Sequence, residues 1–193
     1  AGGHHTSALD TAGQVWCWGY NDWGQLGYPP ILWDDQPRDP NIYRRPVRVR
    51  RLLAAEVAPG GFHTCALGPL GAAYCWGANG YGQLGNGRSA DSIALGRVRR
   101  LGQGRHATQL DPGDLHSCAL RSTGRVACWG YNLVGQLGDG TNTSRLTPVE
   151  VLGLTDATQV TTSLFRHTCA LRADGRVLCW GENGDGQLGD GTT

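Results

Sequence analysis

The side chains of this 193-residue chain that could perform covalent, metal or acid–base chemistry are its seven cysteines, its six histidines and its carboxylates. Six cysteines fall into three pairs of equal spacing: Cys65 with Cys75, Cys118 with Cys128, and Cys169 with Cys179. A histidine stands two residues before each first cysteine, as His63, His116 and His167, and His5 precedes Ser7 in the same way. Residues two apart on a strand share a face, so His63 and Cys65 have the spacing to ligate one metal. A bridged cysteine, however, offers no thiolate to a metal, and none to a histidine-activated nucleophile. Four equivalent sites distributed along a repeat also share no centre. The expectation is therefore structural hydrogen bonding by the histidines, with no metal site and no catalytic residue.

Two further patterns resemble chemistry by letter. Gly80, Gly82 and Gly85 spell G-x-G-x-x-G, as do Gly184, Gly186 and Gly189. A dinucleotide site needs that run to open a helix in a βαβ unit with an acid about 20 residues on. Here the run follows a hairpin strand and leads into Asn-Gly or Asp-Gly turn signals, and no cofactor is expected. The stretch from Tyr28 to Arg45 carries Trp33, Asp34, Asp35, Asp39 and Tyr43. A glycosidase places two carboxylates across a sugar from each other, which acids crowded on one Pro-rich loop do not do. These aromatics and carboxylates are expected to form an exposed binding loop on a rigid scaffold.

The elements that position these groups come from an internal repeat. Four segments align without a gap: His5 to Ile31, His63 to Ser89, His116 to Asn142, and His167 to Thr193. They define one repeat array over residues 1–193, with repeats 5–62, 63–115, 116–166 and a partial 167–193. Placing Cys169 opposite Cys179 sets Leu171 opposite Val177 and leaves a three-residue hairpin loop, Ala173, Asp174 and Gly175. Such a loop wants positive φ at its third residue, and glycine stands there in every copy, as Gly13, Gly71, Gly124 and Gly175. The same register brings each cysteine pair within disulfide reach. Three intrachain bridges are predicted, 65 to 75, 118 to 128 and 169 to 179. In the first copy Ser7 replaces the first cysteine, so Cys17 is unpaired and is either buried and inert or available to a second chain.

The Ala-Leu before the turn, the Cys-Trp-Gly after it, the Asn that follows and the Gly-Gln-Leu-Gly run resemble the repeat of the regulator of chromosome condensation family. That resemblance implies β-propellers, commonly of seven four-stranded blades. It also implies that Trp18, Trp76, Trp129 and Trp180, with Leu26, Leu84, Leu137 and Leu188, pack the blades. The family's members range from nucleotide exchange factors to secreted enzyme inhibitors, so the fold alone assigns no activity. The cysteine-bearing version looks more like secreted repeats of bacterial surface proteins.

Composition agrees with an all-β chain of many turns around a few large anchors, with 31 Gly, 7 Trp, 2 Phe and no Met. A formal charge of +1 argues against a dedicated nucleic-acid binder. The arginine clusters around Arg48 and Arg99 suit solvated faces. No apolar run is long enough to span a membrane as a helix. Disulfides at this density suit an oxidising compartment, so the expected location is extracellular or at the cell surface. The expected function is a non-enzymatic module that binds protein or a surface. The alternative is a self-assembling structural subunit of an extracellular filament or surface layer. The array amounts to about three and a half blades, which leads to three expectations for its ends: trimming from a longer chain, a half share of a seven-bladed ring, or completion by a neighbouring copy in a homo-oligomer.

Overall fold

The computed structural model describes residues 1–28, 41–101 and 106–193. The hairpin register deduced from the cysteines organises all of it. In the fourth hairpin Cys169 faces Cys179 and Leu171 faces Val177. The Gly175 amide closes the loop onto the Arg172 carbonyl at 3.0 Å. φ is positive at each turn glycine: 75° at Gly13, 70° at Gly71, 75° at Gly124 and 84° at Gly175.

Fourteen antiparallel strands form four sheets, and no helix occurs among the described residues. The first sheet holds β1 (His5–Leu9), β2 (Gln14–Tyr20) and β3 (Ile42–Leu53). The second holds β4 (Glu56–Pro59), β5 (His63–Leu67), β6 (Ala73–Gly77) and β7 (Ser92–Arg97). The third holds β8 (Ala107–Pro112), β9 (His116–Arg121), β10 (Val126–Gly130) and β11 (Arg145–Glu150). The fourth holds β12 (Ala157–Thr162), β13 (His167–Arg172) and β14 (Val177–Gly181). Each sheet is a meander, which tight hairpin turns dictate. The chain is thus a partial propeller of about three and a half blades.

Sequence repeat and blade are out of phase by one strand. β4 lies in the tail of the first sequence repeat, yet it pairs with β5 of the second, and β8 and β12 bridge to their successors in the same manner. Each blade is therefore begun by the preceding repeat, and neighbouring repeats cannot separate without breaking a ladder.

The core lies between sheets. Val15, Cys17, Leu26 and Val49 of the first blade pack against Ala66 and Trp76 of the second. Cys65, Cys75, Leu84 and Val98 of the second blade pack against Ala119 and Trp129 of the third. Cys118, Val126 and Leu137 of the third blade pack against Val160, Ala170 and Trp180 of the fourth. Trp76 and Trp129 are fully buried. Burying an indole removes roughly 150–250 Å² from water, an upper bound of about 4–6 kcal/mol each. The three predicted disulfides clasp the hairpins with Cα separations of 4.2, 4.1 and 4.1 Å.

Candidate functional site

After Cys-Trp-Gly, each chain segment folds on itself through its own side chains. The Asn21 carbonyl oxygen Oδ1 accepts the Leu26 amide at 2.9 Å, and Asn79, Asn132 and Asn183 accept the amides of Leu84, Leu137 and Leu188 at 3.0, 2.9 and 3.0 Å. Gln25 Oε1 accepts the Trp23 amide at 3.1 Å, and Gln83 Oε1 accepts that of Tyr81 at 3.0 Å. Residues between the Asn and the Gln are thereby held on a rigid loop with their side chains outward. Those positions differ from copy to copy: Asp22 and Trp23, Gly80 and Tyr81, Leu133 and Val134, Gly184 and Asp185.

The rest of the loop fastens the next blade. The Gln25 backbone carbonyl accepts the Trp76 indole N–H at 2.9 Å and the Thr64 hydroxyl at 2.7 Å. That hydroxyl lies 2.7 Å from His5 Nε2. The Thr64 proton is committed to Gln25, so His5 must donate from Nε2 and is neutral with Nδ1 unprotonated. The next joint repeats this with Gln83, Trp129, Ser117 and His63, and the following one with Gln136, Trp180, Thr168 and His116. The closing glycine of each Gly-Gln-Leu-Gly run admits the indole: a Cβ on Gly85 would lie 2.8 Å from Trp129 Nε1. Burial holds the His5 pKa down at about 4, and those of His63 and His116 at about 3, with neighbouring charges contributing less. These histidines are joints, and the glycine pattern is a packing device.

The outward positions gather into one aromatic face. Trp23 and Tyr81 are each 45% exposed and border a groove of about 610 Å³, with Phe62, Leu115 and Asp91 among its other walls. The His4 ring stacks on Phe62 at 4.5 Å, and Tyr20 meets Phe62 edge-on at 6.4 Å. Tyr81 meets Tyr131 edge-on at 4.9 Å. The Arg166 guanidinium lies 5.3 Å above the Tyr131 ring. Asp91 Oδ1 accepts the Asn79 amide at 2.6 Å, and Tyr20 donates to Asp22. Burial raises the pKa of half-buried Asp114, against the opposing charges of His4 and Arg166. Chemically this is a rigid apolar surface with carboxylates at its margin.

Comparison with known proteins places the architecture. A profile described as Regulator of chromosome condensation (RCC1) repeat matches residues 12–67 and 123–171, and a second of the same description matches 55–83, 108–136 and 158–187. The chain belongs to the RCC1 repeat family. Over 192 residues it is 34% identical to the ultraviolet-B receptor UVR8 of Arabidopsis thaliana, covering 99% of this chain and 42% of the relative. It is 33% identical to the probable E3 ubiquitin-protein ligase HERC4 of Homo sapiens, covering 100% of this chain and 18% of the relative. Among solved structures, Prp20p of Saccharomyces cerevisiae superposes with a TM-score of 0.82 at 27% identity, over 98% of this chain and 45% of that one. Human WBSCR16 shares the fold with a TM-score of 0.82, over 100% of this chain and 49% of that one. The chain thus spans less than half the length of these relatives.

Within this RCC1 repeat array the residues singled out in the sequence separate. The six paired cysteines form the three expected bridges. Cys17 is buried, its Sγ 2.9 Å from Ser7 Oγ, and burial pushes its thiol pKa up to about 11. Trp33, Asp34, Asp35 and Asp39 lie outside the described residues. Tyr43 departs from the expectation of an exposed loop aromatic: it is in β3, only 9% exposed, and meets Tyr28 edge-on at 6.4 Å. It belongs to the blade because β3 begins at Ile42 and alternation turns Tyr43 inward. Sequence reasoning missed the aromatic face. Its signal was there, in the loop positions that vary between copies whose flanks repeat.

Proposed function

We propose that this chain is a protein-binding propeller module that works in a non-reducing, extracellular or cell-surface setting and catalyses no reaction of its own. The observation that carries this reading is the row of half-exposed aromatics on rigid loops, Trp23, Phe62 and Tyr81. Large aromatic side chains already fixed in place lose little entropy on binding and dominate protein interfaces. The groove's described lining residues include a single carboxylate, Asp91, which gives general acid–base chemistry no partner. One similar protein, yeast RCC1 (Prp20), is described as binding proteins: Kap60 in one structure, Gsp1p and histones in another. The three disulfides support the compartment.

The segment that bears Trp33, Asp34, Asp35 and Asp39 contributes to recognition in this proposal; it is flanked by Tyr28 and Tyr43, which meet edge-on. The test is capture from the native secreted fraction by the immobilised chain. Comparison arms are a Trp23→Ser/Tyr81→Ser variant and a deletion of residues 29–41. A partner held by the parent chain and lost with the double variant supports the proposal. Equal capture by all three sinks it.

A further inference from the structure

We infer that the groove between Trp23, Phe62, Tyr81 and Leu115 takes a guanidinium-bearing segment of a partner protein, with the arginine side chain laid on the aromatics and its charge directed at Asp91. The inference rests on the protein-binding reading above and adds the chemistry of the bound segment.

Three observations lead to it. The groove's walls are mainly aromatic and aliphatic, with Gln83 and Ser89 among them, and the charged group among its described lining residues is the carboxylate of Asp91. A surface of that kind attracts a cation whose body is flat and weakly hydrated, since the ring faces carry negative potential and the carboxylate supplies a counter-charge. Further carboxylates stand on the same set of loops, with Asp22 beside Trp23 and Asp114 beside Leu115.

The second observation is internal. One blade further on, the same face carries an arginine of its own. Arg166 occupies the position directly before its blade's histidine, as Phe62 and Leu115 do before theirs. Its guanidinium covers the Tyr131 ring at 5.3 Å, and its charge acts on Asp114. Aromatic ring, guanidinium and carboxylate thus already occur together on this face. The groove by Trp23 offers rings and a carboxylate from other positions, Trp23, Tyr81 and Asp91, and has no arginine among its described lining residues.

The third is preorganisation. The Trp23 and Tyr81 amides are held by Gln25 and Gln83, and Asp91 is held by the Asn79 amide. The receptor side pays little ordering entropy, so a weak cation–π contact remains visible in affinity.

The probe is a fluorescein-labelled peptide of alternating arginine and glycine, followed by fluorescence anisotropy at low and high ionic strength. Controls carry citrulline or lysine in place of arginine. Citrulline keeps the planar shape without the charge, and its peptide is expected to bind at least about tenfold more weakly; lysine's is expected to lose about threefold. Trp23→Ser is expected to weaken the arginine peptide about tenfold, whereas Trp23→Phe retains most of the binding. Asp91→Asn keeps an acceptor for the Asn79 amide and removes the charge, with an expected loss of about fivefold and a flatter salt dependence. Equal binding of the citrulline peptide overturns the inference, as does arginine-peptide affinity unchanged in both Trp23→Ser and Asp91→Asn. No arginine-peptide binding, beside a captured partner that still depends on Trp23, overturns it too while leaving the protein-binding face intact.

Discussion

The Trp129 indole nitrogen donates to the Gln83 main-chain carbonyl at 2.7 Å across the boundary between the second and third sheets, and the Ser117 hydroxyl donates to the same oxygen at 3.0 Å. One carbonyl thus takes two donors from the next blade at a joint where Gln83, Trp129 and Ser117 are all buried. Trp129→Phe keeps most of the apolar contact and removes one donor, so it should destabilise by about 1–2 kcal/mol in chemical denaturation. Trp180→Phe should cost less, because Trp180 is only partly buried.

The joints make the fold acid-labile. His5, His63 and His116 have folded pKa values of about 4, 3 and 3 against 6.5 when unfolded. Between those values the unfolded state binds more protons, so the stabilisation is complete above about pH 6.5 and falls as pH drops toward the folded values. Each histidine contributes a slope of up to about 1.4 kcal/mol per pH unit in that window. Denaturation midpoints measured from pH 7 to pH 4 should fall steadily. His63→Gln should reduce the slope by about a third if the three joints act alike.

Ser7 and Cys17 occupy the register that carries a disulfide in the other three hairpins. Ser7→Cys should therefore oxidise spontaneously to a fourth bridge. Closing a loop of about 11 residues is worth up to about 2.7 kcal/mol on the chain-entropy model. Peptide mapping without reduction should find 7 joined to 17 and the thiol count reduced to zero.

Turn glycines with one backbone conformation should differ in their tolerance of alanine. Gly124 and Gly175 have φ of 75° and 84°. A Cβ at Gly124 would sit 2.7 Å from the Thr155 carbonyl oxygen, whereas at Gly175 it meets nothing within 4 Å. Gly175→Ala should cost about 1 kcal/mol from φ alone, and Gly124→Ala clearly more. Paired thermal melts check the order.

The hairpins and their disulfides were legible in the sequence because a three-residue loop, a cysteine pair and a glycine constrain one another within a few residues; the packing of Trp76, Trp129 and Trp180 came from the family resemblance, and Trp18, half-buried in β2, is outside the core clusters. The out-of-phase blades were not, since β4 pairs with β5 across a boundary that the gapless alignment had drawn between repeats. The partner of each joint histidine was equally hidden: His63 and Ser117 are 54 residues apart, and only stacking of blades brings them to 2.8 Å. Tyr43 was misplaced because a Pro-rich insertion gives no sign of where β3 begins. The aromatic face is assembled from positions that look like surface variation in any single repeat, and it becomes one surface only when the loops are set side by side.

Hydrogen exchange on the captured complex tests the central claim, that the loop face is where partner protein binds, most directly. The account predicts slowed exchange on complex formation in the segments 22–24, 61–63, 80–82 and 114–116. β3 and β7 should stay unchanged. Protection confined to those outer strands, with the four loop segments exchanging as they do in the free chain, would contradict it.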